Sequence, residues 1–132
     1  MNEILQIRFP GGKKVDAVFP DQTVVLSDQA RSDGGEGSAP QPFQLFLASI
    51  ATCAGIYVVN FCETRKIPTD GMSLTMSGHY DSEKKRFLKW GLHLTLPESF
   101  PEKYRKSVIR AMDLCAVKKH ILNSPEFEIT TE

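Results

Sequence analysis

One hundred and thirty-two residues make one ordinary domain, or one protomer of a small oligomer, and can enclose a real core. At 41% hydrophobic and 24% charged, the chain is a globular protein and not a disordered tail. Sixteen basic residues balance sixteen acidic ones, which excludes the global positive charge that would draw it to nucleic acid or to an anionic membrane.

The N-terminal thirty residues predict short strands in an antiparallel meander. Leu5, Ile7 and Phe9 alternate with Gln6 and Arg8, a period of two. Pro10-Gly11-Gly12 marks a turn, and Val15, Ala17 and Phe19 resume the alternation. Thr23 to Leu26 is β-branched enough for a third strand. Residues 27 to 41, rich in Ser, Asp and Gly with little to pack, predict a loop. A loop of that length in a compact domain is either functional or a surface excursion.

Residues 42 to 66 predict one long helix. Pro42 suits its first position, where a missing N–H costs nothing. From Phe43 to Cys62 the chain is apolar on nearly every face, so the helix belongs at the centre of a core or in a membrane. Gln44 and Asn60 would be costly in lipid, and the amphipathic flanks need something to cover, so a central buried helix is expected. Pro68 forces an end.

The clearest β signal follows. Met72, Leu74 and Met76 oppose Ser73, Thr75 and Ser77; after a polar turn, Leu88, Trp90, Leu92, Leu94 and Leu96 oppose Lys89, Gly91, His93 and Thr95. Two strands with one apolar face each predict an antiparallel hairpin lying on the helix. Ser99-Phe100-Pro101-Glu102 has the form of a capping box. Tyr104, Val108, Ala111 (with Met112) and Cys115 then fall on one helical face. Residues 116 to 122 add a further helical turn, and Phe127 and Ile129 suggest a short closing strand. No repeat, linker or second domain is visible, so residues 1–132 read as a single domain.

The three cysteines are few and odd in number, and no signal peptide precedes the first apolar run. This predicts a reducing, cytoplasmic setting in which thiols act as chemistry and not as staples. Cys62 lies nine residues beyond Cys53, roughly 180° around a helix and about 13 Å along it, too far to bridge. Any intrachain disulfide joins one of these two to Cys115. The sequence has no CxxC and no four-ligand metal spacing; Cys115 and His120 alone make a poor zinc site. The bland alternative is that all three are small buried hydrophobes, and Cys62 is read so.

Gly34-Gly35, followed by Pro42-Phe43-Gln44-Leu45-Phe46-Leu47-Ala48-Ser49-Ile50-Ala51-Thr52-Cys53, resembles the signature of the OsmC/Ohr family of osmotically induced and organic-hydroperoxide-resistance proteins. Asp113-Leu114-Cys115-Ala116-Val117 resembles the family's second cysteine motif, and the order of elements matches. The resemblance implies an α+β, OsmC-like fold: an N-terminal antiparallel meander, a long central cysteine-bearing helix, an antiparallel hairpin and a C-terminal helix, in an intertwined homodimer. It implies a thiol peroxidase that needs no cofactor, with Cys53 as the peroxidatic and Cys115 as the resolving cysteine, a dithiol reductant, and no nucleic-acid or membrane partner. Phe43, Phe46 and Ile50 would then form apolar walls favouring organic hydroperoxides.

Two departures from the family pattern matter. The thiol of Cys53 is too deep in its helix to feel that helix's N-terminal dipole, so it is expected to need a nearby cation. The family uses an arginine held by a glutamate at the head of the cysteine helix; that glutamate's position is Phe43 here. Arg31 fits the arginine, with Lys13 or Lys14 as the alternatives. The missing clamp keeps open a second reading, a redox-sensing or non-catalytic small-molecule-binding protein on the same scaffold.

Overall fold

The computed structural model describes residues 1–132. It resolves into two compact units, Met1–Ala48 and Ser49–Glu132.

In the first unit, β1 (Gln6–Gly11), β2 (Lys14–Val18) and β3 (Val24–Val25) form an antiparallel sheet in the order β1-β2-β3. Gly11 and Gly12 turn the first hairpin at φ 135° and 59°, angles that favour glycine. Pro10 sits where the β1–β2 register is irregular, on an edge strand, the place where a missing N–H does no harm. The predicted meander is present.

The segment after β3 has no strand or α-helix, as expected, but it does have something to pack around. Ser27 and Asp28 are buried, Asp28 at 1% exposure. The Asp28 carboxylate accepts from the Gln29, Glu36 and Ser38 amides at 2.7, 3.3 and 3.1 Å and from the Ser38 hydroxyl at 2.6 Å. These bonds hold the carboxyl at about 2, the Ser38 hydroxyl contributing most. Gly35 is required here: a Cβ would meet the Gln29 carbonyl oxygen at 2.1 Å. A 3₁₀ turn, Arg31–Asp33, is folded into the same segment.

The long helix α1 spans Pro42–Thr64. Its start is local chemistry: Gln44 reaches back to accept from the Gln41 amide at 2.9 Å, half of a capping box, with Pro42 at the first helical position. It ends two residues before the predicted limit and before Pro68 acts. Ile67 N–H bonds to Cys62 C=O and Lys66 N–H to Glu63 C=O, at 2.9 and 3.1 Å, with Lys66 at φ 55°. This is a Schellman closure with lysine in the place glycine usually takes.

In the second unit, β4 (Ser73–Asp81) and β5 (Arg86–Thr95) form the predicted hairpin. Met72, Leu74 and Met76 are partly buried while Ser73, Thr75 and Ser77 are exposed. On β5 the alternation holds for Trp90, Leu92 and Leu94 but fails at Leu88, which is 48% exposed. Tyr80 pairs with Phe87 and His79 with Lys89, so Leu88 is the extra residue of a bulge. Phe87 takes the half-buried place instead, its ring 5.7 Å from Trp90.

Two further helices follow, α2 (Arg105–Asp113) and α3 (Ala116–Leu122). A 3₁₀ turn from Glu102 leads into α2 with no side-chain cap, so the Ser99 capping box does not form. Val58, Phe61, Cys62, Phe100, Val108 and Met112 make the core, with Leu74, Leu92, Leu94 and Tyr104 packed around it. Each fully buried aliphatic side chain contributes about 1.5–3 kcal/mol. The closing strand predicted at Phe127 and Ile129 is absent: both are exposed, at 88% and 92%, and no strand is present after α3.

Candidate active site

Cys53 opens the fourth turn of α1, and Cys115 occupies the N-cap position of α3. All three cysteines are free thiols. The fold brings two of them together: the Cys53 and Cys115 thiols are near enough to shift each other's acidity. Cys115 is buried, at 2% exposure, and its Sγ also contacts the Ile50 carbonyl oxygen at 3.9 Å. Cys53 is half-buried. Cys62 is fully buried in the core of the unit, where desolvation pushes its thiol up.

The two paired thiols are driven apart in acidity. Burial acts against the Cys53 thiolate, but the Cys115 thiol and the Val117 and Ala116 amides all stabilise it, and the net shift is downward. Cys115 moves upward, from burial first and from its neighbour Cys53 second. The expected need for a cation beside Cys53 is thus met in part by other means. The dipole of α1 is out of reach, but the Val117 and Ala116 amides at the start of α3 favour the thiolate. The sequence showed a helical turn after Cys115; it gave no sign that this turn faces Cys53.

An apolar cavity of about 520 Å³ adjoins the pair. Its walls include Ile50, Trp90, Leu92, Met112 and Cys115, but not Cys53. Of the three predicted wall residues, Ile50 lines this cavity. Phe43 and Phe46 do not; they are 52% and 36% exposed, with ring centroids 5.5 Å apart. On the continuous helix α1, positions 43, 46, 50 and 53 nonetheless fall on one stripe.

Arg31 belongs to the first unit and Cys53 to the second. Arg31 is exposed in its 3₁₀ turn and makes no ion pair. Lys14 is engaged by Glu36 at 2.9 Å, which raises its pKa. Lys13 and Lys14 flank a cleft of about 500 Å³ in the same unit. Nowhere do three His, Cys, Asp or Glu side chains converge as metal ligands.

Residues 35–130 match the model of the OsmC-like protein family. The chain belongs to that family. The OsmC-like fold extends across solved structures. A Psychrobacter arcticus protein, provisionally described as an osmotic stress induced and detoxification response protein, aligns at TM-score 0.74 and 17% identity over 90% of this chain and 88% of its own. The Legionella pneumophila organic hydroperoxide resistance protein OsmC aligns at TM-score 0.55 and 22% identity over 92% and 90%. The organic hydroperoxide resistance protein OhrB of Bacillus subtilis aligns at TM-score 0.51 and 19% identity over 89% and 90%. At these identities the likeness is one of fold. No curated protein sequence matches the chain. The OsmC-like fold also accounts for α1, which is long and apolar enough to cross a membrane, as the long helix of the scaffold.

Proposed function

We propose that this OsmC-like protein is a thiol-dependent peroxidase that reduces organic hydroperoxides. The Cys53 thiolate attacks the distal peroxide oxygen; an S–O bond forms, the O–O bond breaks, and an alcohol leaves. Cys115 attacks the resulting sulfenic acid, expelling water and forming a disulfide. A dithiol reductant returns the pair to thiols by exchange. The observation that carries this reading is the closeness of the two thiols, with Cys53 the more acidic and more accessible of the two. The more acidic, less buried sulfur makes the better first nucleophile, and the buried one resolves.

The apolar walls of the adjoining cavity favour an alkyl peroxide over hydrogen peroxide. The names of the Legionella and Bacillus relatives support the same substrate class. In this reading Arg31, unclaimed by any carboxylate, supplies positive charge to the thiolate or the peroxide, and Phe43 and Phe46 extend the apolar wall. The working form is a homodimer, and a pair recycled by a dithiol belongs in a reducing cytoplasm.

Stopped-flow oxidation of the reduced protein, with mass spectrometry of the products, tests the proposal. Cumene hydroperoxide is expected to react faster than hydrogen peroxide, to yield a Cys53–Cys115 disulfide, and to be ignored by Cys53→Ser. A rate no better than that of an ordinary exposed thiol, with no such disulfide, would refute the enzyme and leave a binding or sensing protein.

A further inference from the structure

Cys115 sits at a sharp corner. Helix α2 ends at Asp113, Leu114 and Cys115 leave helical geometry (Cys115 φ −49°, ψ 125°), and α3 begins at Ala116. Cys115 itself is buried, but the helix beyond it is lightly held. No residue of α3 is buried, and Leu114 and Leu122 are 54% and 69% exposed. The packing of α3 is therefore slight, with Val117 and Lys118 only half-buried. Backbone bonds from Cys115 N–H to Met112 C=O (3.3 Å) and from Lys119 N–H to Cys115 C=O (3.1 Å) shape each side separately. One side-chain contact spans the corner: the Lys118 ammonium donates to the Asp113 carboxylate. Both residues line the cavity that also holds Cys115 and Trp90.

We propose that the Asp113–Lys118 ion pair is a clamp that positions Cys115 for the resolving step. The inference rests on the peroxidase reading above. In that step the Cys115 sulfur attacks the Cys53 sulfenic sulfur. The S–S bond forms as the S–O bond breaks, and the hydroxide leaves with the thiol proton as water. The attack needs the Cys115 sulfur held against α1. A loosened corner lets it swing toward the cavity, and a waiting sulfenic acid then meets a second peroxide and becomes sulfinic. Asp113 and Lys118 touch neither sulfur's reacting partner, so they are positioning residues.

Trp90 is the sole tryptophan and shares the cavity wall with Cys115, so its fluorescence follows the corner. Wild type, Asp113→Asn, Lys118→Met and the swap Asp113→Lys/Lys118→Asp would be mixed with cumene hydroperoxide, with products read by mass spectrometry. The single variants are expected to form sulfenic acid at the wild-type rate. Their disulfide phase should slow about three- to fivefold, the scale of one exposed ion pair, and sulfinic acid should accumulate at excess peroxide. High salt should slow wild type toward the variants and leave the variants unchanged. The swap should recover most of the rate, which a loss of packing would not allow. Normal disulfide formation in every variant overturns the clamp alone, as does an equal slowing of both phases. Failure of wild type to form the disulfide overturns the clamp and the peroxidase together.

Discussion

Cys53 and Cys62 occupy the same helix and have opposite surroundings, which set their acidities apart. Cys62 is enclosed by Val58, Phe61 and Val108, with burial raising its pKa and only Arg65 opposing. Cys62→Ser would place a hydroxyl in that apolar core and should cost about 1–3 kcal/mol in urea unfolding, with peroxide consumption unchanged. Cys53 has donors. Replacing Cys115 by Ala removes the strongest of them, so the pH midpoint of Cys53 alkylation should rise. Iodoacetamide rates across pH measure it, and an unmoved midpoint would mean that the amides of α3 suffice without the second thiol. The presence of three cysteines was plain in the sequence. Their different acidities were not, because acidity depends on the surroundings the fold gives each sulfur.

The loop between β3 and α1 is the element whose order the sequence concealed. Its Gly and Ser content reads as freedom, yet a single carboxylate gathers three amides and a hydroxyl around itself. The Asp28 carboxyl is held at about 2 against an ordinary 3.8. A depressed carboxyl stabilises the fold above its unfolded pKa, and that contribution is lost as the pH falls through the folded one. Thermal unfolding should therefore show wild type losing stability between about pH 4 and pH 2 more steeply than Asp28→Asn, whose baseline is already lower. Gly35→Ala, with its Cβ against the Gln29 carbonyl, should destabilise by about 1–3 kcal/mol, the ordinary cost of overpacking. The hairpin carries a milder version of the same lesson. Period two placed Leu88 inside; the bulge opposite Tyr80 turned it out and let Phe87 in, and no local pattern announces a bulge.

At the scale of the molecule, α1 is apolar on more sides than the second unit covers. Ile56 and Val59 are 50% and 42% exposed, and Val59 borders a shallow apolar groove shared with Val58, Met72, Leu74 and Leu94. Contiguous apolar surface of this kind is an interface in waiting, and a closed two-fold dimer is the commonest way to cover it. Light scattering should give twice the 14.8 kDa chain mass, and Ile56→Glu should return the protein to monomers. A monomeric wild type at micromolar concentration would contradict the homodimer.

Several features were fixed by the residues in order: the meander, the hairpin, the long helix from Pro42, the core-facing run Val108, Met112 and Cys115, and membership of the OsmC-like family. All of these are written in periods of two or three to four residues, or in short motifs, and such signals are local. The meeting of Cys53 with Cys115 was implied by the family motifs; what waited for the tertiary structure is the rest that joins distant segments, the Ala116 and Val117 amides that favour the Cys53 thiolate and the Asp28 knot. Those depend on how helices and loops come to rest against one another, and that balance of packing and hydrogen bonding is settled by the whole chain at once.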